Sequence, residues 1–108
     1  MDLPSEPQLS VTPTGERAVV RLTVHGDVDF AGAPDLLVQF EKLLPAMPGS
    51  IEMDLAAVDF LDCAGVRALL QLQETATLSG HRVTLVAASP GVARILALLG
   101  YQHFLNAP

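Results

Sequence analysis

Hydrophobic and polar positions recur with two different periods along this chain, and the places where the period changes mark its elements. Leu9-Ser10-Val11-Thr12 alternates with period two, and Pro13, Gly15 and Glu16 then supply a turn. Ala18-Val19-Val20-Arg21-Leu22-Thr23-Val24 follows, rich in β-branched residues, so the two segments read as an antiparallel hairpin. Gly26-Asp27-Val28-Asp29 is expected to break the second strand. From Ala33-Pro34 the period lengthens. Leu36, Leu37, Phe40, Leu43, Leu44 and Met47 recur at three- and four-residue steps, while Asp35, Gln39, Glu41 and Lys42 fall mostly outside them. This predicts an amphipathic helix opened by Pro34, whose missing N–H would be unpaired in a first turn anyway, and stopped by Pro48-Gly49.

Ile51-Glu52-Met53-Asp54-Leu55 returns to strict alternation, the mark of a strand with one buried face. Residues 56–61 read as a connection to Asp62-Cys63-Ala64-Gly65, where a second helix begins. Its apolar side is Val66, Leu69, Leu70, Leu72 and Ala76, with Arg67, Gln71, Glu74 and Thr75 opposite and Gly80 at its end. Residues 82–87 form a third strand of the repeating pattern. Ser89-Pro90 then starts a last helix, with Ser89 as N-cap, Val92, Ile95, Leu96 and Leu99 facing inward, and Gly100 as a left-handed C-terminal cap. Tyr101, Phe104 and Leu105 are expected to fold back and close the core.

The order is ββαβαβα. Parallel strands must be joined by crossovers, so the sequence predicts an α/β domain with a mixed, mostly parallel sheet of four or five strands. Strands are ordered as in the sequence, the first is an antiparallel edge, and three or more helices build two or three layers. Residues 1–8 read as an N-terminal tail and residues 9–108 as one domain.

Composition narrows the function. At 108 residues with half of them hydrophobic and 17% charged, the chain supports a real core and does not read as disordered. Its formal net charge is −6, and the six basic residues, Arg17, Arg21, Lys42, Arg67, Arg82 and Arg94, are scattered. Nucleic acid and anionic membrane surfaces are therefore poor partners. The N-terminus is acidic and proline-containing rather than basic and then apolar, and no apolar run reaches the ~20 residues of a membrane span, so a cytoplasmic location without membrane insertion is expected. A single cysteine, Cys63, fits a reducing compartment.

Two stretches carry a family resemblance. Val24-His25-Gly26-Asp27-Val28-Asp29, followed by Ala33-Pro34 and Leu36, is similar to a "G-(E/D)-(L/V)-D … AP-x-L" segment of STAS domains. Val58-Asp59-Phe60-Leu61-Asp62-Cys63-Ala64-Gly65-Val66 is similar to the "F-(L/M/I)-D-S-(S/T)-G-(L/V)" loop of that family. Ala88-Ser89-Pro90 with Val92, then Leu99-Gly100, resembles its closing helix, and the match runs from about residue 9 to the end. The resemblance, to anti-sigma factor antagonists in particular, implies a STAS fold and a protein partner of the anti-sigma factor kinase type. It also implies that the residue after Asp62 is the phosphosite-equivalent position, where a serine phosphate would add about −1.5 to −2 charges and end the interaction. This chain has Cys63 there and Ala64 beside it. Neither accepts an ordinary phosphoester, so a switch at that site is not expected while binding is.

Individual residues carry chemical readings as well. Asp62 reads as the cap of the second helix, accepting from Ala64 or Gly65, and Gly65 as a backbone or close-packing requirement. A thiol at a helix N-terminus is a route to redox sensing, but Asp62 opposes the thiolate and no second cysteine resolves an oxidised one. Asp27 and Asp29 read as turn and pre-helix residues rather than as a metal or acid–base set with Asp62. His25, His81 and His103 lack ligand spacing. No nucleophile–base pair or phosphate loop is visible, so no enzyme activity, cofactor or metal is expected. Ala64, Arg67, Ala68 and Gln71 share an outer helical face, small and weakly charged as docking surfaces are. The expected partner-binding surface is residues 26–30 with Asp27 and Asp29, the Asp62-Cys63-Ala64-Gly65 turn, Arg67, Ala68 and Gln71, and Ser89. A homodimer is compatible with the sequence. Alternatives are an accessory STAS subunit of a lipid or anion transport complex, and a small-ligand sensor.

Overall fold

The architecture follows from one stepwise path through a sheet. The protein's structure, a computed structural model, describes residues 7–101. Within them lie strands β1 (Gln8–Pro13), β2 (Val19–Val28), β3 (Ser50–Leu55), β4 (Val58–Leu61) and β5 (Arg82–Ala88), and helices α1 (Ala33–Leu43), α2 (Cys63–Leu78) and α3 (Pro90–Leu98). The strand order is β1-β2-β3-β5, with β1 antiparallel to β2 and the others parallel. Both crossovers, β2 to β3 through α1 and onward to β5 through α2, step in the same direction. Right-handed connections therefore put α1 and α2 on one face, where they pack together.

That face holds the core. Leu22, Val24 and Val28 of β2, Ile51, Met53 and Leu55 of β3, and Val83 and Leu85 of β5 are buried in alternation. Leu36 and Phe40 of α1 and Val66, Leu69 and Leu72 of α2 meet them, and Val92 and Leu96 of α3 complete the cluster. Among the described residues no helix covers the opposite face, which is only half buried: Arg21, Thr23, Glu52, Asp54 and Thr84 stand on it. Its Arg21–Glu52 pair spans neighbouring strands at 2.8 Å. The hydrogen bond that Arg21 donates to Glu52 raises the guanidinium pKa above its usual value; desolvation opposes this, and the charges of Glu52 and Asp54 add to it. The domain has two layers.

Local chemistry sets the element ends. Asp62 and Ser89 cap α2 and α3, accepting from Gly65 and Val92. Both helices end in the same left-handed motif: Gly80 and Gly100 take φ of +83°. The following N–H groups of His81 and Tyr101 return to the carbonyls of Ala76 and Leu96. At the free edge, the Gln39 side-chain amide stands in for a neighbouring strand. Its Oε1 accepts from Leu9 N–H at 3.2 Å, and its Nε2 donates to the Pro7 carbonyl and to Asp35 Oδ2, each at 2.9 Å.

Three expectations about element boundaries need correction. Gly26-Asp27-Val28 does not end β2: the strand runs to Val28, absorbing Gly26 (φ +88°) as a register shift, because β4 offers it a partner. The connection at residues 56–61 contains that partner, β4, parallel to β2. The first helix ends at Leu43 and not at Met47, since Pro45 has no N–H to continue it; a single 3-10 turn, Leu44–Ala46, keeps Leu44 and Met47 in the core. Phe104 and Leu105 lie outside the described residues, while Tyr101 packs against the core as expected.

Candidate functional site

The two motif stretches meet because β4 lies beside the end of β2, pairing Asp27 with Phe60 and Val28 with Leu61. Just beyond these strands, Asp62 ties the pieces together. Its Oδ1 accepts from Gly65 N–H at 2.8 Å, capping α2. Its Oδ2 accepts from Phe30 N–H at 3.0 Å, pinning the loop between β2 and α1. Asp29 shapes the same loop, its Oδ1 accepting from Gly32 N–H at 2.8 Å and its carbonyl from Ala33 N–H. Gly65 sits against β2, where a Cβ would land on the Val28 carbonyl oxygen. No side chain fits there.

What this corner presents is chemically simple. Cys63, first residue of α2, is exposed, Ala64 behind it is half buried, and Arg67 is exposed one turn on. Phe30 stands 81% exposed on the pinned loop and Phe60 is 52% exposed on β4 beside Asp27. Phe30 closes the 26–30 stretch expected to bind a partner, whereas Phe60 falls outside that expected surface, because an isolated Phe carries no periodic signal; the Asp62 tether and the β2–β4 pairing fix where each stands. Asp59 is exposed next to Phe60. The corner is thus acidic with two uncovered aromatic rings.

The remaining expected site residues fall in distinct places. Asp27 is half buried on β2 itself, not on a loop. Gln71 is exposed two turns along α2. Ser89 is half buried, its Oγ donating to the Val58 carbonyl at 3.4 Å, at the opposite end of β4 from Asp62. Ala68 does not share the outer face: it is buried, 3% exposed. Because α2 packs on α1 as well as on the sheet, its buried arc is wider than its large apolar residues mark out.

Among the described residues no three His, Cys, Asp or Glu side chains are grouped to hold a metal ion. His25 Nε2 lies 3.3 Å from Ser10 Oγ, and His81 Nε2 lies 3.1 Å from the Met47 carbonyl, which it can meet only as a donor. His103 lies outside the described residues. Among the described residues no helix is long and apolar enough to cross a membrane.

Comparison with known proteins places this geometry. A family model described as "Mlab, STAS domain" matches residues 11–106. An anti-sigma factor antagonist from Mycobacterium paratuberculosis is similar in structure, with a TM-score of 0.75 at 24% identity, over 95% of this chain and 86% of that one. The anti-sigma factor antagonist SpoIIAA in its unphosphorylated form gives a TM-score of 0.68 at 16% identity, over 90% and 84%. The Bacillus cell fate determinant SpoIIAA in its phosphorylated form gives 0.62 at 15%, over 90% and 87%. At these identities the structures share the fold, while the family model covers most of the chain. The chain belongs to the STAS domain family.

Proposed function

We propose that this chain is a protein-binding regulatory module of the anti-sigma factor antagonist kind, which docks on an anti-sigma factor kinase and carries out no catalytic step of its own. The observation that carries the reading is the corner built on Asp62. A half-buried, hydrogen-bonded Asp62 there holds Phe30 out in solvent beside the exposed start of α2. Exposed aromatics on a fixed frame are the residue type that anchors interfaces. The complementary partner offers an apolar recess for Phe30 with basic groups around it, to meet Asp27, Asp29 and Asp59. Similarity to proteins described as anti-sigma factor antagonists supports that class of partner.

The switch is proposed to be absent at its usual place. SpoIIAA has a phosphorylated form, whereas Cys63, at the equivalent position by motif, has no hydroxyl. Incubation with an anti-sigma factor kinase and ATP, followed by intact-mass spectrometry, tests this. The wild-type chain is expected to gain no phosphate, and Cys63→Ser, which puts a hydroxyl at the exposed first residue of α2, is expected to gain one. Phosphate on the wild-type chain that disappears in Cys63→Ala overturns the reading. The same surface would serve an accessory STAS subunit of a lipid or anion transport complex. Co-purification with an ABC-type ATPase in place of a sigma-factor regulator decides for that alternative.

A further inference from the structure

We propose that the outer face of α2 is self-complementary and receives a second copy of this chain, helix antiparallel to helix, as a weak two-fold dimer. Only two charged residues lie in the sixteen-residue helix, Arg67 and Glu74, and both are exposed on this face. Neither has an ion-pair or hydrogen-bond partner among the described residues. They are of opposite sign and equally far from the midpoint between Leu70 and Gln71, about 5 Å along the axis at 1.5 Å per residue. A two-fold axis through that midpoint therefore sets Arg67 of each copy against Glu74 of the other. The same operation brings Leu78, 82% exposed, to Cys63 of the other copy and Leu70 to Gln71. A parallel arrangement would oppose Arg67 to Arg67 and Glu74 to Glu74, so charge selects the antiparallel one.

Shape agrees with charge. Two shallow depressions, of about 290 and 460 Å³, adjoin along this helix and share Arg67 and Leu70 in their walls. The first is walled on its far side by Leu99 and Tyr101 and the second lies on α2 alone, with apolar ground at Leu70 and Leu78 for the second copy to cover. A single helix pair is smaller than a standard stable interface, so the dimer is expected to be concentration-dependent.

Sedimentation equilibrium of the purified protein from about 5 to 500 µM tests the inference. The wild type is expected to show a reversible monomer–dimer equilibrium. Arg67→Glu and Glu74→Arg each replace two attractions per dimer with two repulsions and are expected to weaken it about tenfold. The double variant Arg67→Glu/Glu74→Arg restores the pairing and is expected to return to within about threefold of wild type. Both positions are exposed, and unchanged thermal melts show that the variants fold. A wild type that stays monomeric throughout leaves the stripe to a different protein and overturns the inference, as does a double variant no tighter than the singles. Self-association is read on the isolated protein, so its failure leaves the proposed kinase docking untouched.

Discussion

Asp62 and Gly65 set the corner at the start of α2 by two different physical demands, one for acceptors and one for space. Asp62→Ala removes an N-cap and the Phe30 tether together. Loss of about 1–2 kcal/mol is expected in chemical denaturation. Asp62→Asn, which keeps one carbonyl oxygen, should lose less. Gly65→Ala drives a methyl into the backbone of β2, which cannot yield as a side-chain tip would. A destabilisation of about 2–3 kcal/mol is expected, measured the same way. The Asp62 cap was legible in sequence, since capping is a local rule; Gly65 was legible only as a backbone or close-packing requirement, because the β2 carbonyl that excludes a side chain lies far away in the chain. Phe30 was legible only as the end of the expected 26–30 stretch and Phe60 not at all, because exposure is decided by what the rest of the chain leaves uncovered. Ala68 was misplaced for the same reason: an alanine fits either side of a helix, and only the packing of α1 against α2 buries it.

Elements with their own periodicity were readable; those defined by a neighbour were not. α2 and α3 carry caps at both ends and an apolar stripe, so their starts and stops follow from composition. β4 is four residues with the burial order in-out-out-in, and its strand character comes from pairing with β2. Without β4 to continue the pairing past it, Gly26 reads as the end of a strand. Gln39 shows the same dependence, since helical spacing places it on the outside of α1 while its amide completes the β1 edge. Gln39→Ala leaves Leu9 N–H and the Pro7 carbonyl without that partner. Faster amide hydrogen exchange at Leu9 is expected, with a stability loss of about 1 kcal/mol.

At the scale of the whole molecule, one face of the sheet carries the helices and core while the other stays half exposed behind its Arg21–Glu52 pair. The strand order and mixed directions followed from the element order, because crossover handedness leaves few alternatives. What the order of elements cannot say is which surface meets a partner. The proposed docking corner depends on β4 carrying the second motif to the end of β2, which sets Phe60 beside Asp27 and ties the Phe30 loop to the start of α2. The account's central claim is that this corner binds the partner, and calorimetric titration of the Phe30→Ala variant with an anti-sigma factor kinase tests it most directly. Val86→Ala, an exposed residue of β5, serves as the control. The account predicts an affinity at least about tenfold weaker for Phe30→Ala, with Val86→Ala and both melting temperatures unchanged. Wild-type affinity in Phe30→Ala, or an equal loss in Val86→Ala, would contradict it.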